Sequence, residues 1–272
     1  MHDIAPWSVA ILLTAAIVIA AWRSGSLAGN GAVAALLIGL VALRVQWSWG
    51  AFLLAWFVLA SLLSRIGRAR KAVRTAGVVA KGDRRDARQV LANGGVFALC
   101  GAGVYSALAI GFPADTTVLT TAAAAALAAA GADTWATEVG TLVGGTPWSV
   151  REARRVPVGT SGAITASGTL GALFGGVAIA GIAVAVGMLP AANVIAVAIG
   201  GFVGALADTV VGAWWQEQRT CAACGQSTEC LVHRCGATTV RVRGVAGLDN
   251  DLVNGICTVV GAAVATAIAL AR

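Results

Sequence analysis

Charged side chains are scarce in this 272-residue sequence, and that scarcity excludes a soluble globular domain. Aspartate, glutamate, lysine and arginine together make up 11% of the residues, whereas soluble domains carry about 25%. Hydrophobic residues make up 58%, and the mean hydropathy is +0.83. The chain is therefore expected to be an integral membrane protein.

Alternating polar and apolar strands are also lacking, as are two nucleotide-binding motifs and the basic start of a signal peptide. Without that alternation a transmembrane β-barrel is disfavoured, and an all-α, polytopic bundle of transmembrane helices is expected. Neither GxxxxGK[ST] nor GxGxxG after a strand occurs, which argues against a Walker or Rossmann site. No basic region precedes the first apolar run, 7–22, so this run is interpreted as a span.

Eight apolar runs are candidates for membrane spans. They cover residues 7–22, 28–43, 47–64, 94–111, 116–132, 162–187, 191–213 and 252–271. Because a helix needs about 20 residues to cross the hydrocarbon core, eight spans are predicted, and the shorter runs leave six or seven open. Glycine-interrupted runs such as 28–43 leave a broken or re-entrant helix open as well.

Basic residues are distributed unevenly between the predicted loops, and this distribution gives an orientation. One follows span one, nine follow span three, three follow span five and four follow span seven, whereas the other connections hold only Arg44 and the terminal Arg272. By the positive-inside rule the long loops are cytoplasmic and both termini lie outside the cell inner membrane. The net charge of +7 then reflects topology, and nucleic-acid binding is not expected.

The chain is interpreted as one membrane domain, 1–272, whose first long loop, 65–93, is strongly basic. One interpretation of this loop is a topology determinant that also holds anionic lipid headgroups. The other is a phosphate site, in which arginine side chains bind phosphate oxygens in pairs and two glycines open a helix with free backbone N–H groups. The candidate phosphate ligands of this loop are Lys81, Arg84, Arg85 and Asn93.

The second long loop, 133–161, ends in a basic pair followed by the Gly-Thr-Ser-Gly sequence 159–162. This segment directly precedes a predicted helix, so a hydroxyl side chain can act as the helix N-cap. The same helix start, next to two arginines, can also bind a phosphate. Both interpretations stay open for the candidate residues, which are Arg154, Arg155, Thr160 and Ser161.

Three acidic motifs lie at predicted span ends, where ionised groups are costly and rarely without a role. Their oxygen donors are Asp133 and Glu138 in GADTWATEVG, Asp208 in GALADT, and Asp249, Asn250, Asp251 and Asn254 in LDNDLVN. Such donors suit Mg²⁺, and we expect the three motifs to converge at one membrane face. The alternative is that the carboxylates pair with loop arginines.

The first acidic motif carries a geometric condition. Asp133 and Glu138 are five residues apart, which is about 140° around an ideal helix. They can bind one metal ion together only if the helix breaks near Thr137.

The Ala-Asp-Thr triplets at 132–134 and 207–209 form a weak internal repeat, an internal echo in the sequence that is typical of a duplicated helical half.

The third long loop, 216–249, holds five soft metal ligands within a short stretch, namely Cys221, Cys224, Cys230, His233 and Cys235. A CxxC pair is the common half of a tetrahedral zinc site, and a disulfide is disfavoured in the reducing cytoplasm. The remaining candidates, Cys230, His233 and Cys235, do not have the regular spacing of a second zinc half-site. A structural Zn²⁺ is therefore one interpretation, and a loop without metal stays open.

Acidic oxygens for Mg²⁺, basic loops for phosphates and a lipid-accessible bundle together indicate phosphoryl or nucleotidyl transfer to a membrane lipid. In such chemistry the protein mainly positions groups and neutralises charge. A transporter or lipid flippase is the alternative from another class, because intramembrane carboxylates also mark transport pathways. The acids lie toward the cytoplasmic ends of the spans rather than at the midplane, which favours the enzyme.

Five motifs in this order, GADTWATEVG, RRVPVGTSG, GALADTVVGA, HRCG and LDNDLVNG, resemble one integral-membrane family. It is the family of transmembrane protein 19, known as domain of unknown function 92, which includes plant phytyl-phosphate kinase. The resemblance covers essentially the whole chain. It implies a prenyl-phosphate kinase that transfers the γ-phosphoryl group of CTP or another nucleoside triphosphate to an isoprenyl monophosphate such as phytyl or geranylgeranyl phosphate.

The resemblance also implies roles for residues of this sequence. Mg²⁺ and nucleotide would be held by the candidate catalytic carboxylates Asp133, Glu138, Asp208, Asp249 and Asp251, assisted by Asn93, Asn250 and Asn254. The phosphates of donor and acceptor would meet Lys81, Arg84, Arg85, Arg154 and Arg155. A CDP-lipid synthase-type nucleotidyltransferase, with the same donor and metal, is the nearest enzymatic alternative, and a homo-oligomer is left open.

Overall fold

The computed structural model describes residues 6–76, 78, 84–111 and 116–271. Eight helices in these ranges coincide with the eight predicted spans: α1 (Trp7–Arg23), α2 (Gly29–Val45), α3 (Trp47–Arg65), α5 (Ala87–Ala109), α6 (Thr117–Val143), α7 (Ala166–Ala185), α8 (Val194–Trp214) and α9 (Asn250–Leu270). A short basic helix, α4 (Arg68–Thr75), follows α3. The prediction of an all-α membrane bundle is confirmed.

The helices differ in whether they can cross a membrane by themselves. By length and composition, α3, α5, α7, α9 and α8 with its preceding 3-10 turn are each suited to span a bilayer. α1 and α2 are apolar but have only 17 residues each. The run 28–43, which left a re-entrant helix open, is part of the continuous α2.

Helix α6 lies at the centre of the bundle. It packs against α3, α5, α7, α8 and α9, and every residue from Thr120 to Ala132 is buried. Its alanine run, 122–130, has side chains small enough for neighbouring helices to approach closely. At one contact, a Cβ atom built on Gly204 of α8 would lie 2.5 Å from Ala129 Cβ and 2.7 Å from the carbonyl oxygen of Cys257.

The long connections between helices lie together at one end of the bundle, which we call the basic end. Arg65 donates a hydrogen bond to the Ser26 hydroxyl at 3.0 Å, and Ser161 donates one to Glu229 at 2.6 Å. Leu27 also forms a parallel bridge with Arg85. These contacts join the α1–α2 connection to the α3–α5 connection, and the α6–α7 connection to the α8–α9 connection. The Glu229 amide donates to the Val78 carbonyl oxygen at 3.0 Å and joins the two pairs. All four connections therefore lie at the same end, as alternating spans require.

The basic loop predicted at 65–93 is shorter than expected, because α5 begins at Ala87. Asp86 accepts a hydrogen bond from the Gln89 amide at 3.0 Å, and the Gln89 side chain accepts one from the Asp86 amide at 3.3 Å. This capping box starts the helix six residues before Asn93. The prediction that Asn93 opens a helix with free backbone N–H groups is therefore wrong.

Helix α6 continues through the first acidic motif to Val143, so the segment predicted as a loop from 133 begins only at Gly144. The polar side chains of the motif do not interrupt the helix. Thr134, for example, donates its hydroxyl hydrogen to the carbonyl oxygen of Ala130 at 2.8 Å, inside the helix itself. No break occurs near Thr137.

Two small antiparallel sheets of the same topology follow α6 and α8. The strands are β1 (Trp148–Ser149), β2 (Arg154–Arg155) and β3 (Ala163–Ile164) in one, and β4 (Gln218–Cys221), β5 (Ser227–Thr228) and β6 (Thr239–Arg243) in the other. In each sheet the first strand is central, with the orders β2-β1-β3 and β5-β4-β6. The described chain thus repeats a helix–sheet–helix unit, which supports the internal echo seen in the sequence.

Substitution of Gly204 by alanine tests the close packing around α6. The added methyl group would overlap Ala129 and Cys257, and such overpacking costs about 1–3 kcal/mol. We expect Gly204→Ala to lower the thermal unfolding midpoint in detergent. The matched control is Gly181→Ala in α7, where a Cβ meets no atom within 4 Å; equal midpoints for the two variants would contradict this packing.

Candidate functional site

Three carboxylates meet where α6, α8 and α9 come together at the basic end, and we call them the acidic junction: Asp133, Asp208 and Glu229. Because residues one turn apart share a helix face, Asp133 lies one turn beyond Ala129, and Asp208 one turn beyond Gly204. Those two smaller residues face each other across the helix contact. The charges of Asp133 and Glu229 both act on Asp208.

Asp133 and Asp208 have few protein partners among the described residues. The Oδ2 atom of Asp208 is buried and has no hydrogen-bond partner among the described residues. No lysine or arginine within the described ranges forms an ion pair with Asp133 or Asp208. Burial of like charges without a counter-ion is costly, so this junction suits a cation.

Glu229, which the sequence analysis did not single out, is held in place by its own hydrogen bonds. Its Oε1 atom accepts hydrogen bonds from Ser161 at 2.6 Å and from the Gln216 side chain at 2.9 Å. Its backbone N–H donates to the carbonyl oxygen of Val78 at 3.0 Å. Ser161 is therefore the one predicted phosphate residue of its loop that contacts the acidic junction in the described structure.

Glu138 points away from the acidic junction. Since α6 is regular, the five-residue offset from Asp133 turns Glu138 toward α4, where it forms an ion pair with Lys71. The Lys71 ammonium also donates to the carbonyl oxygens of Leu63 at 3.1 Å and Ser64 at 2.8 Å. The expectation that Glu138 and Asp133 bind one metal ion is not met, because the helix does not break between them.

The third acidic motif is engaged by Arg88 of α5. Asp249 is the N-cap of α9 and accepts from the Leu252 amide at 3.2 Å, and its carboxylate lies 2.8 Å from Arg88 Nη1. Asp251 is buried, with an oxygen 3.8 Å from Arg88 Nε. Asn250 is exposed, whereas Asn254 is half-buried. The pairing with arginine that the sequence left open is thus observed for this motif.

Arg85 lies between two pockets at the basic end. It donates to the Ser61 hydroxyl at 3.2 Å and lies over the Phe57 ring at 5.5 Å. Burial lowers the pKa of its guanidinium from the usual value, against the opposing charge of Glu138. A polar pocket of about 40 Å³ is lined by Ser24, Gly25, Ser26, Ser61, Ser64, Arg65, Arg68 and Arg85.

The second pocket is a cavity of about 290 Å³ between α1, α2, α3 and α5, which we call the apolar cavity. Its walls are almost entirely hydrophobic and include Leu13, Ile38 and Phe57. The polar exceptions are Thr14, Arg85, Gln89 and Asn93, of which the last three lie on or next to the first turns of α5 at the basic end. Asn93 therefore faces this cavity instead of opening a helix.

Of the remaining predicted phosphate ligands, Arg154 and Arg155 have their contacts within their own loop. Lys81 lies outside the described residues, and Arg84 is exposed. Arg154 pairs with Glu152 at 2.5 Å, while Arg155 donates to Thr146 and lies 5.9 Å from the centre of the Trp148 ring.

Thr160 does not cap the helix that follows the Gly-Thr-Ser-Gly segment. Its hydroxyl donates to the Pro157 carbonyl oxygen at 2.8 Å. The N-cap of α7 is Thr165, whose side chain accepts a hydrogen bond from the Gly168 amide at 3.0 Å. Neither Thr160 nor Ser161 caps the helix.

Four of the five predicted soft ligands form a compact group, which we call the cysteine cluster: Cys221, Cys224, His233 and Cys235. Their ligand atoms all lie within 4.8 Å of one another. Cys230 is not part of the group. The backbone N–H of Cys224 is the largest of several influences that lower the pKa of the Cys221 thiol to about 7.

A bundle of long apolar helices is typical of an integral membrane protein, and the acidic junction gives this bundle a polar site at one end. Comparison of the sequence with family models agrees, since residues 12–262 match the family described as integral membrane protein DUF92. The chain belongs to this family. The resemblance noted from its motifs is therefore confirmed.

Two relatives extend over most of the chain. Protein PGR of Arabidopsis thaliana is 27% identical over 266 residues, covering 90% of this chain and 90% of the plant protein. Uncharacterized membrane protein sll0875 of Synechocystis sp. is 29% identical over 225 residues, covering 81% and 74% respectively. No solved structure matches the chain.

The Lys71–Glu138 ion pair can be tested by a double-mutant cycle. Because both side chains are largely buried, removal of one partner leaves an uncompensated charge and costs about 3–5 kcal/mol. We expect Lys71→Met and Glu138→Gln each to lower unfolding stability in detergent, and the double variant to recover part of the loss. Strictly additive losses would contradict a direct pair and free Glu138 for another role.

Proposed function

We propose that the protein is a membrane-embedded prenyl-phosphate kinase, in which a nucleoside triphosphate, with CTP preferred, donates its γ-phosphoryl group to an isoprenyl monophosphate. The observation that carries the proposal is the acidic junction, where Asp133 and Asp208 are half-buried and form no ion pair with a basic side chain in the described structure. The relatives and the family model support an integral membrane protein of the DUF92 family. The kinase activity is our inference.

Mg²⁺ fits the acidic junction by the chemistry of its donors. Carboxylate oxygens are the ligands that Mg²⁺ takes, commonly one or two together with substrate phosphates and water. Asp208 contributes a buried oxygen that lacks a hydrogen-bond partner in the described residues. Asp133 and Glu229 supply the neighbouring carboxylates. When bound, the ion would neutralise charge on the phosphates of the donor nucleotide.

The acceptor would occupy the apolar cavity and the polar pocket that adjoins it. A prenyl chain needs a hydrophobic channel, and its phosphate needs cationic and hydroxyl donors. Arg85 lines both spaces, so it is placed to bind a phosphate whose chain lies among α1, α2, α3 and α5. Arg65 and Ser61 add donors on the polar side.

No strong general base is required for this reaction. The acceptor is already an anionic phosphate, so the protein mainly has to align two phosphates and neutralise their charge. Lys71 and Arg74 lie at the basic end beside the end of α6, where Arg74 donates to the Thr141 carbonyl oxygen at 2.6 Å. By the positive-inside rule we assign the basic end to the cytoplasm, where nucleotides are available.

The products of one assay test this function. Purified protein in detergent is supplied with Mg²⁺, labelled CTP or ATP, and geranylgeranyl phosphate, and the lipids are separated by chromatography. A nucleoside diphosphate with a lipid diphosphate supports the kinase. Pyrophosphate with a CDP-lipid identifies a nucleotidyltransferase instead, and absence of turnover together with solute flux in liposomes identifies a transporter.

Asp208→Asn tests the role of the acidic junction in that assay. The substitution keeps the shape of the side chain but removes the charge, and loss of one electrostatic contact at a reacting centre typically lowers the rate by about 10²–10³. We expect a loss of this size or larger with an unfolding midpoint that is not lowered, because the substitution removes one of several neighbouring negative charges. Glu152→Gln, which changes a carboxylate paired with Arg154 away from the junction, should retain activity; equal effects of the two variants would contradict the assignment.

The apolar cavity can be tested by filling it. Ala35 of α2 lines the cavity, so Ala35→Phe should reduce activity toward geranylgeranyl phosphate much more than toward the shorter geranyl phosphate. Val33→Phe, at an exposed position of the same helix, is the matched control. The measurement is kcat/KM for the two acceptors, and an unchanged preference in Ala35→Phe would show that the chain binds elsewhere.

A further inference from the structure

The geometry of the cysteine cluster points to a bound metal ion. Sγ of Cys221 lies 3.5 Å from Sγ of Cys235, and Nδ1 of His233 lies 3.2 Å from Cys235 Sγ and 3.5 Å from Cys224 Sγ. With Zn–S near 2.3 Å and Zn–N near 2.0–2.1 Å, the edges of a tetrahedral site are roughly 3.5–3.8 Å. The three observed separations lie at or slightly below these edges, and all four ligand atoms lie within 4.8 Å of one another, which is close enough for one ion to bind them together.

The alternative pairing of these thiols does not account for the arrangement. No disulfide joins any of the six cysteines, and the His233 Nδ1 atom lies within 3.5 Å of the sulfurs of both Cys224 and Cys235. Nδ1 of His233 faces the sulfurs, while Nε2 of the same ring is buried without a hydrogen-bond partner in the described part of the chain. A nitrogen ligand among three sulfurs is characteristic of a Cys₃His zinc site.

The loop that carries the cluster has almost no hydrophobic core of its own, because Cys221 is its only buried hydrophobic residue among the described residues 216–249. β5 has only two residues, and the side chains of Leu231 and Val232 are 69% and 57% exposed. A segment without its own hydrophobic core needs a cross-link or a metal to stay folded. The ligands come from its two ends, Cys221 at the end of β4 and Cys235 just before β6.

Glu229 belongs to the stretch enclosed by these ligands. It lies between Cys224 and His233, and its hydrogen bonds to Ser161 and Gln216 dock this stretch against the membrane bundle. We propose that Cys221, Cys224, His233 and Cys235 bind one structural Zn²⁺, and that this ion closes the loop that brings Glu229 to the acidic junction. The Zn²⁺ site is distinct from the Mg²⁺ site proposed above.

Metal content tests the ligand set without any lipid or nucleotide, so its result is independent of the proposed kinase activity. We expect about one Zn²⁺ per chain in protein purified without added chelator, and loss of at least nine-tenths of it in Cys224→Ser and Cys235→Ser. Cys230→Ser, in the same loop but outside the cluster, is the matched control and should keep its zinc. Absence of zinc from the unaltered protein, or equal loss in Cys230→Ser, would overturn the proposal.

Two further measurements on the unaltered protein cover the case in which the serine variants do not fold. Co²⁺ added after removal of zinc should give the thiolate-to-cobalt absorption of a tetrahedral sulfur site, and its absence would contradict the assignment. Hydrogen exchange of the Glu229 amide, which bonds to Val78 at 3.0 Å, should become faster when zinc is removed, while α6 and α8 stay protected. Unchanged exchange at Glu229 would show that the metal does not position this residue.

Discussion

The unbroken course of α6 is the constraint on which the rest of the structure depends. The helix runs from Thr117 to Val143 without a kink, so the 140° offset between Asp133 and Glu138 expected from helix geometry is preserved. One carboxylate is thereby directed toward α8 and α9, and the other toward α4 and Lys71. Two residues of one sequence motif therefore lie in two different environments. Asp133 belongs to the acidic junction, whereas Glu138 pairs with Lys71 in the connection between α3 and α5.

The close packing of α6 against α8 and α9 explains why the acidic junction needs a positive charge. Alanine and glycine residues bring α6, α8 and α9 so near to one another that Asp133 and Asp208 are both half-buried, with the Oδ2 atom of Asp208 fully buried. Carboxylates in that position are stabilised by a cation or by loss of charge. The neighbouring basic residues do not supply the cation, because Arg88 is engaged by Asp249 and Lys71 by Glu138. A divalent cation between Asp133 and Asp208 would supply the missing positive charge.

The sequence predicts the helices well, because long apolar runs and the alternation of basic loops follow directly from the properties of a bilayer. It predicts the site less completely. The start of α5 depends on a local capping box at Asp86, which hydropathy does not reveal, and that displaced Asn93 from the expected helix start. Glu229 is an isolated acid in a polar loop, and only tertiary contacts with Ser161 identify it. The position of Cys230 outside the cysteine cluster is likewise a property of the folded loop that spacing alone does not determine.

The central claim is that Asp133 and Asp208 bind one divalent cation together, and a direct measurement is anomalous X-ray scattering from crystals of the protein soaked in Mn²⁺. Mn²⁺ takes the same oxygen donors as Mg²⁺, and its position can be located without reference to any activity. The account predicts a peak between the carboxylates of Asp133 and Asp208, close to Glu229. Crystals that hold Mn²⁺ only elsewhere, with the two carboxyl groups hydrogen-bonded to each other, would contradict it.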